Sequence, residues 1–422
     1  MNTISEPEPR VMFPNRVEDK SMSEVASGGA NVLFLVEVVN CNDGIASYCE
    51  TLATGLQSRG VQIYLVSGEV RSDEKSEPKR RKLAAAVKEW HEIPELRKLP
   101  SPSIFFRLLK LIRERKITVI NVHGLGMLLW GKLLSLLTGA RFVATYHPSV
   151  LGNIENVQNA PKSKFSSKQI LFFNAFFPEK LILMSEESRQ HLSRYLVLRK
   201  NGIAKVYGGV DTDHFHPPSA ADRLRARQKF GLADSDFMCL LAARLAWVKG
   251  HDLLIQAVRK IRDHGEHPSL DLKCFFVGSG GADREKEIKS FAYGGDERDN
   301  HTFRFLGFMG DVREALWAAD VFVLPSRFEG FPLGVAEAMA TGLVPVRTPA
   351  GGASDQIIDG QTGFIVPFED VDALAQAVEK LTDPARRQMM ARSCIARAQQ
   401  YFGVGPMVDQ TLQIYGVASA HP

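Results

Sequence analysis

At 422 residues the chain exceeds what one ordinary hydrophobic core accommodates, so two domains are expected. With 45% hydrophobic and 24% charged residues it has the composition of a soluble globular protein, and a formal net charge of +4 is too small for this length to imply nucleic-acid binding. No run reaches the roughly 18 apolar residues that a bilayer crossing needs, and the nearest approach, Met127 to Leu137, is interrupted by Lys132. The five cysteines, Cys41, Cys49, Cys239, Cys274 and Cys394, are odd in number and scattered without metal-type pairing, as expected of reduced thiols in a cytoplasmic protein.

Residues 1–30 are polar, rich in Glu, Pro and Ser, and lack the apolar core of a signal peptide; disorder is expected there. From Asn31 a short apolar run, a turn and an amphipathic helix recur. Asn31 to Val39 is a near-continuous apolar strand, Asn40 to Gly44 a turn, and Ile45, Tyr48, Leu52 and Leu56 mark one helical face closed by Gly60. Further strands are predicted at Gln62–Val66, Thr118–Val122, Arg141–Thr145, Lys180–Met184 and Ala204–Tyr207, while the charged stretch 69–88 reads as an exposed, irregular excursion. A stiff connector, Phe215-His-Pro-Pro218, precedes a second series of strands at 237–242, 271–277, 302–306, 320–324, 343–346 and 364–366. Helices are expected at 371–381 and 385–401. Strands alternating with helices imply right-handed βαβ units, hence an α/β chain of two doubly wound Rossmann-like halves facing a cleft. The expected division is 1–30, 31–212, 213–402 and a terminal helix at 403–422 that crosses back to the first half.

Two loops of the second half carry chemistry. Ser326-Arg-Phe-Glu-Gly-Phe-Pro-Leu-Gly-Val-Ala-Glu337 places Glu329 on the loop after a strand and Glu337 in the first turns of the following helix. Peptide N–H groups from Gly330, Phe331, Pro332 and Leu333 onward would meet a ligand there (proline contributing only its fixed backbone), and small residues allow its close approach. Ala242-Ala-Arg-Leu-Ala-Trp-Val-Lys-Gly250 sets Arg244 and Lys249 on the preceding strand-to-helix loop, a pocket for an anion. The two loops open onto one sheet edge, pairing cations for a diphosphate with carboxylates for sugar hydroxyls.

These motifs, with Phe276-Val-Gly-Ser-Gly280, Phe305-Leu-Gly307, Ala319-Asp-Val-Phe-Val-Leu-Pro-Ser326, Glu-Ala-Met-Ala340 and Asp359-Gly-Gln-Thr-Gly363, resemble the second half of family 4 glycosyltransferases. The likeness continues more weakly at Gly44, His123, Thr145-Tyr-His147, Met184-Ser185 and Gly209-Val-Asp211. The resemblance implies a GT-B fold and metal-independent, retaining transfer from a nucleotide diphosphate sugar to a glycan or lipid-linked acceptor. Cell-surface polysaccharide or lipopolysaccharide assembly is the implied setting. Arg244 and Lys249 would hold the diphosphate, Glu329 with the N–H groups of Gly330, Phe331 and Leu333 the sugar, Glu337 the ribose, and His147 would face the sugar across the cleft. Gly44 and Gly278 would line the donor site, and no cofactor or metal is implied. Two departures stand out: Asp43-Gly44 replaces a glycine pair, and Gly208 replaces the asparagine before Gly-Val-Asp, which suggests a looser hinge.

Other signals are weaker. Asp211-Thr-Asp213 has the spacing of a metal site but falls at the junction, and Gly278-Ser-Gly-Gly281 lacks the third glycine of a dinucleotide fingerprint because position 283 is Asp283. The run Lys79-Arg-Arg-Lys82 with Arg107, Lys110, Arg113, Arg115 and Lys116 makes the first half locally basic. Phe172, Phe173, Phe176 and Phe177 belong first to a core; exposed beside such a basic face, they would dock on an anionic membrane at its inner face. A sugar-nucleotide epimerase or phosphorylase on the same fold, or a non-catalytic scaffold that binds nucleotide sugars, are the competing readings.

Overall fold

The computed structural model describes residues 30–417, apart from 42–43, 73, 75, 98–100, 148–166, 195–201 and 265–269. Apart from Ala30, the extension expected to be disordered lies outside the described residues, as does Asp43. Two wholly parallel sheets form the frame. The first contains β1 (Asn31–Asn40), β2 (Gln62–Arg71), β3 (Glu89–Glu92), β4 (Val119–His123), β5 (Arg141–Thr145), β6 (Lys180–Leu183) and β7 (Ile203–Lys205), in the order β3-β2-β1-β4-β5-β6-β7. The second contains β8 (Phe237–Ala242), β9 (Leu272–Val277), β10 (Phe303–Gly307), β11 (Val321–Leu324), β12 (Val344–Arg347) and β13 (Phe364–Ile365), ordered β10-β9-β8-β11-β12-β13.

The apolar run of β1 follows from burial on both faces. Val32 and Phe34 join the core on one side of the sheet, whereas Leu33 and Leu35 join the core on the other, with no exposed surface on any of the four. The helix Gly44–Gln57 buries Tyr48, Cys49, Leu52 and Leu56 against that sheet. The helix Val404–Tyr415, last in the described chain, packs on Gly44–Gln57: Arg59 pairs with Asp409 at 2.9 Å, and Asn121 Nδ2 donates to the Tyr415 hydroxyl at 2.7 Å. All five cysteines are buried.

The stretch 69–88 departs from expectation. β2 continues to Arg71 because Val38, Val39 and Asn40 of β1 pair with Glu69, Val70 and Arg71. A helix, Glu77–Ala85, follows, with Pro78 in its first turn and Leu83 buried. Its charges occupy the outer face, which hid one short apolar stripe. The four-residue edge strand β3 also escapes a hydrophobic reading, since Glu-Trp-His-Glu caps a sheet edge with charge. Its Trp90 is fixed by an Nε1–H bond to Ser67 Oγ of 2.8 Å. Phe173 and Phe177 are buried, and Phe172 and Phe176 pack against the same core, so the aromatic cluster is interior.

Candidate functional site

Each sheet has one place where successive crossovers leave toward opposite faces, between β1 and β4 and between β8 and β11. Loops leaving the carboxyl ends of strands at such a place open a crevice. In the second sheet β8 and β11 are neighbours, so the Arg244–Lys249 loop and the Ser326–Glu329 loop lie side by side. Their backbones join, the Arg327 N–H donating to Val248 O at 2.7 Å. The Arg327 guanidinium donates to Trp247 O, to both Asp252 oxygens and to both Glu369 oxygens, and lies 4.2 Å from the Trp247 ring centroid. Gly250 has φ +68°, and a Cβ there would run into the Pro325 carbonyl oxygen. Gly278 has φ +138° and lies equally close to the Ala243 carbonyl, holding the loops after β8 and β9 together.

This scaffold brings Lys249 Nζ to 2.7 Å from Glu329 Oε1, which also accepts from Ser326 Oγ at 2.7 Å. The side chains are only 18% and 7% exposed, so the pair is shielded yet open on one side. Two donors converge on Oε1, and no described residue bonds Oε2. Arg244 is exposed, and no described residue pairs with its guanidinium. The helix Leu333–Ala340 begins at Pro332 without a side-chain cap, leaving first-turn N–H groups available for an anion or hydroxyl. Gln356 Nε2 holds the Pro332 carbonyl at 2.9 Å, and the fully buried Arg347 donates to Gln356 Oε1 and to the Ala350 and Gly351 carbonyls. Burial pushes the Arg347 pKa down to about 10. Phe331 is buried and its ring stacks on Tyr207 at 5.5 Å, so it offers a ligand only its backbone. Glu337 sits in the second turn of its helix. Burial raises its carboxyl to about 7, with Lys79 opposing the shift and Asp311 reinforcing it.

In the first half, Gly44 opens the helix after β1, and a Cβ there would meet nothing within 4 Å. His123 ends β4 and His147 follows β5, with His123 Nδ1 3.1 Å from His147 Nε2. Burial drives the His147 pKa down to about 4 and that of His123 well below its usual value, so both rings are neutral near pH 7 and one donates to the other. Tyr48 meets the His147 ring edge-on at 4.9 Å. Among the described residues, these contacts of His147 are with its own half. Asp211 Oδ1 accepts from the Asp213 and His214 N–H groups, each at 3.0 Å, which makes Asp211-Thr-Asp213 a capped turn. Among the described residues no cluster of three or more His, Cys, Asp or Glu could hold a metal.

Gly208 sits in a close-packed position at the junction. A Cβ at Gly208 would lie 2.7 Å from Leu333 Cδ2, so its absence suits the close approach of the junction segment to the Glu329–Leu333 loop. Sequence reasoning also passed over Ser326, Arg327, Arg347 and Gln356. Arg327 carried a usable signal, a charged residue between a strand end and Glu329; Arg347 carried none, because its value lies in the carbonyls that the fold brings to it.

Comparisons with known proteins agree with this geometry. Residues 236–383 match the profile of group 1 glycosyl transferases and residues 42–214 that of glycosyltransferase family 4. A UDP-Gal:alpha-D-GlcNAc-diphosphoundecaprenol alpha-1,3-galactosyltransferase of Escherichia coli is 25% identical over 309 residues, 73% of this chain and 77% of that protein. A D-inositol 3-phosphate glycosyltransferase of Streptomyces griseus is 32% identical over 260 residues, 57% of this chain and 54% of the relative, so the match spans about half of that relative's length. Among solved structures, a glycosyltransferase of Rickettsia africae superposes with TM-score 0.76 at 17% identity, covering 92% of this chain and 98% of that one. Anabaena HepE in complex with UDP-glucose superposes with TM-score 0.72 at 20% identity, covering 91% and 98%. With two family profiles spanning most of the chain and the GT-B pair of parallel sheets beneath them, the chain belongs to the family 4 (group 1) glycosyltransferases.

Proposed function

We propose that this enzyme transfers a hexose from a UDP-hexose, with retention of configuration, to a lipid-linked or glycan acceptor in cell-surface polysaccharide or lipopolysaccharide assembly. The observation that carries the reading is the shielded Lys249–Glu329 pair beside exposed Arg244 and an uncapped helix start. Arg244 and Lys249 take the diphosphate and stabilise charge as the nucleoside diphosphate leaves. Glu329 Oε2 and the backbone of Gly330, Phe331 and Leu333 grip the transferred sugar, with Pro332 fixing the turn. Glu337 accepts from the ribose hydroxyls, Gly278 and Gly44 line the donor, and neutral His147 offers a single hydrogen bond to the sugar. A donor phosphate oxygen takes the acceptor proton on the face from which the leaving group departs. The assigned domains are 31–212 for the acceptor and 213–402 for the donor, with the segment after 403 returning to the first. UDP in HepE and the diphosphoundecaprenol acceptor of the Escherichia coli relative support the choice of donor and acceptor classes.

No helix among the described residues is long and apolar enough to cross a membrane. Acceptor delivery is assigned instead to the packed helices Pro102–Glu114 and Leu128–Thr138, where Phe106, Leu136 and Leu137 are 65%, 68% and 55% exposed beside Arg107, Lys110 and Arg113. Thermal-shift screening of UDP, GDP and ADP, followed by proton NMR of the transferred anomeric centre, tests the donor reading; stabilisation by GDP or ADP alone would overturn it. Co-sedimentation with liposomes should require anionic lipid and weaken with salt.

A further inference from the structure

The donor loop does not stand on the second half alone. Asp355, on the short helix Ala353–Gln356 after β12, is 5% exposed, and its carboxylate reaches across to the first half. Oδ2 accepts from the Glu186 N–H at 2.7 Å, the opening N–H of the helix Glu186–Ser193, whose Ser185 cap serves Ser188 instead. Oδ1 accepts from the Tyr207 hydroxyl at 2.8 Å and from Lys205 Nζ at 3.2 Å. The Tyr207 ring lies nearly parallel to Phe331, 5.5 Å away with 19° between planes, and Phe402 meets both rings edge-on. A Cβ on Gly352 would come within 3.5 Å of Ser185 Cβ, which shows how closely the halves approach here.

We propose that Asp355 is a positioning residue for the donor site, fixing Tyr207 beneath Phe331 and tying the Gly330–Leu333 loop to the first half at one relative setting. The physical basis is the donor set. Three donors from β7, its extension and a helix start converge on one largely buried carboxylate, and these three bonds form only while the halves keep this approach, although Lys205 also lies 3.9 Å from Glu186 Oε2 within the first half. A hydrogen bond to a charged acceptor is stronger than a neutral one, and the helix start adds its own partial positive charge. Phe331 follows Tyr207, so opening the halves at this point withdraws support from the N–H groups on either side of Phe331. Asparagine cannot replace Asp355, because its NH2 would confront at least one of the three donors.

The inference rests on the donor reading above, and its test separates the two. Cysteines placed at Leu136 and Met389, 68% and 63% exposed on the two halves, accept spin labels while the native thiols are buried. Pulsed electron resonance then reads the distance between halves, and calorimetry reads UDP affinity, in the full chain with and without Asp355→Asn or Tyr207→Phe. Either substitution should broaden the distance distribution and weaken UDP at least fivefold, with the double variant little worse than the more severe single, because both cut one path. Tyr207→Phe removes one hydroxyl and keeps the stack, so it stays informative should Asp355→Asn fold poorly. A lowered melting temperature with unchanged distances and UDP affinity within twofold of the parent would overturn the positioning role. If the parent binds no UDP, the donor reading fails while the distance distributions still decide the bridge.

Discussion

Lys249→Met is the sharpest perturbation of the proposed site. In the structure Lys249 Nζ and Ser326 Oγ share Glu329 Oε1, and the ammonium is the sole cation within bonding distance of that carboxylate among the described residues. Breaking a fully buried pair costs about 3–5 kcal/mol; here the ammonium retains 18% exposure toward the cleft, which reduces the expected loss to about 2 kcal/mol. The catalytic loss is separate. Removing one preorganised charge from a developing anion costs about 10²–10³ in kcat. Combining Lys249→Met with Glu329→Gln distinguishes the two effects, because the uncompensated carboxylate disappears while the Ser326 bond survives. The double variant should regain most of the lost stability, to within about 1 kcal/mol of the parent, yet remain inactive. Urea denaturation and initial-rate assays with a UDP-hexose measure both. A single variant keeping more than a tenth of parental kcat would refute the role of Lys249 at the diphosphate, and a double variant as unstable as the single would refute the stability argument.

Two further outcomes follow from the site. In the proposed site Glu337 would accept from ribose hydroxyls when ionised, and burial raises its carboxyl to about 7. The ionised fraction then falls from about nine-tenths at pH 8 to about one-tenth at pH 6, so UDP-glucose affinity, whose diphosphate does not titrate in this range, should drop about tenfold over that interval. Glu337→Gln should flatten the profile; an unchanged pH dependence would remove Glu337 from the ribose site. Arg327→Ala leaves Asp252 and Glu369 facing each other without a counter-charge. Arg327 is 4% exposed but its partners are 30% and 44% exposed, so screening limits the expected destabilisation to about 2 kcal/mol. Donor KM should rise as the Lys249 loop separates from the Glu329 loop, and steady-state kinetics on the folded variant check it.

Much of the architecture was legible in the chain because it depends on local pattern. The near-continuous apolar runs of β1, β8 and β11 require sheets covered on both faces, and turn residues between strands and helices set the parallel winding. The same patterning placed Arg244, Lys249, Glu329 and Glu337 on strand ends and helix starts, since those positions follow from short-range spacing. Where burial was confined to a thin stripe, as in Glu77–Ala85, or to a charged edge, as in β3, the pattern was too short to read. What only the tertiary structure decided is which charges face each other. The pairing of Lys249 with Glu329 depends on β8 and β11 being neighbours although 80 residues separate the two side chains, and Arg347 is useful only for carbonyls gathered around it. Asp355 meets Tyr207 148 positions away in the chain. Side-chain chemistry was thus written residue by residue, whereas its electrostatic environment came from tertiary pairing: the neighbouring of β8 and β11 decides which atoms of Glu329 remain for a ligand, and the approach of the two halves decides the partners of Asp355.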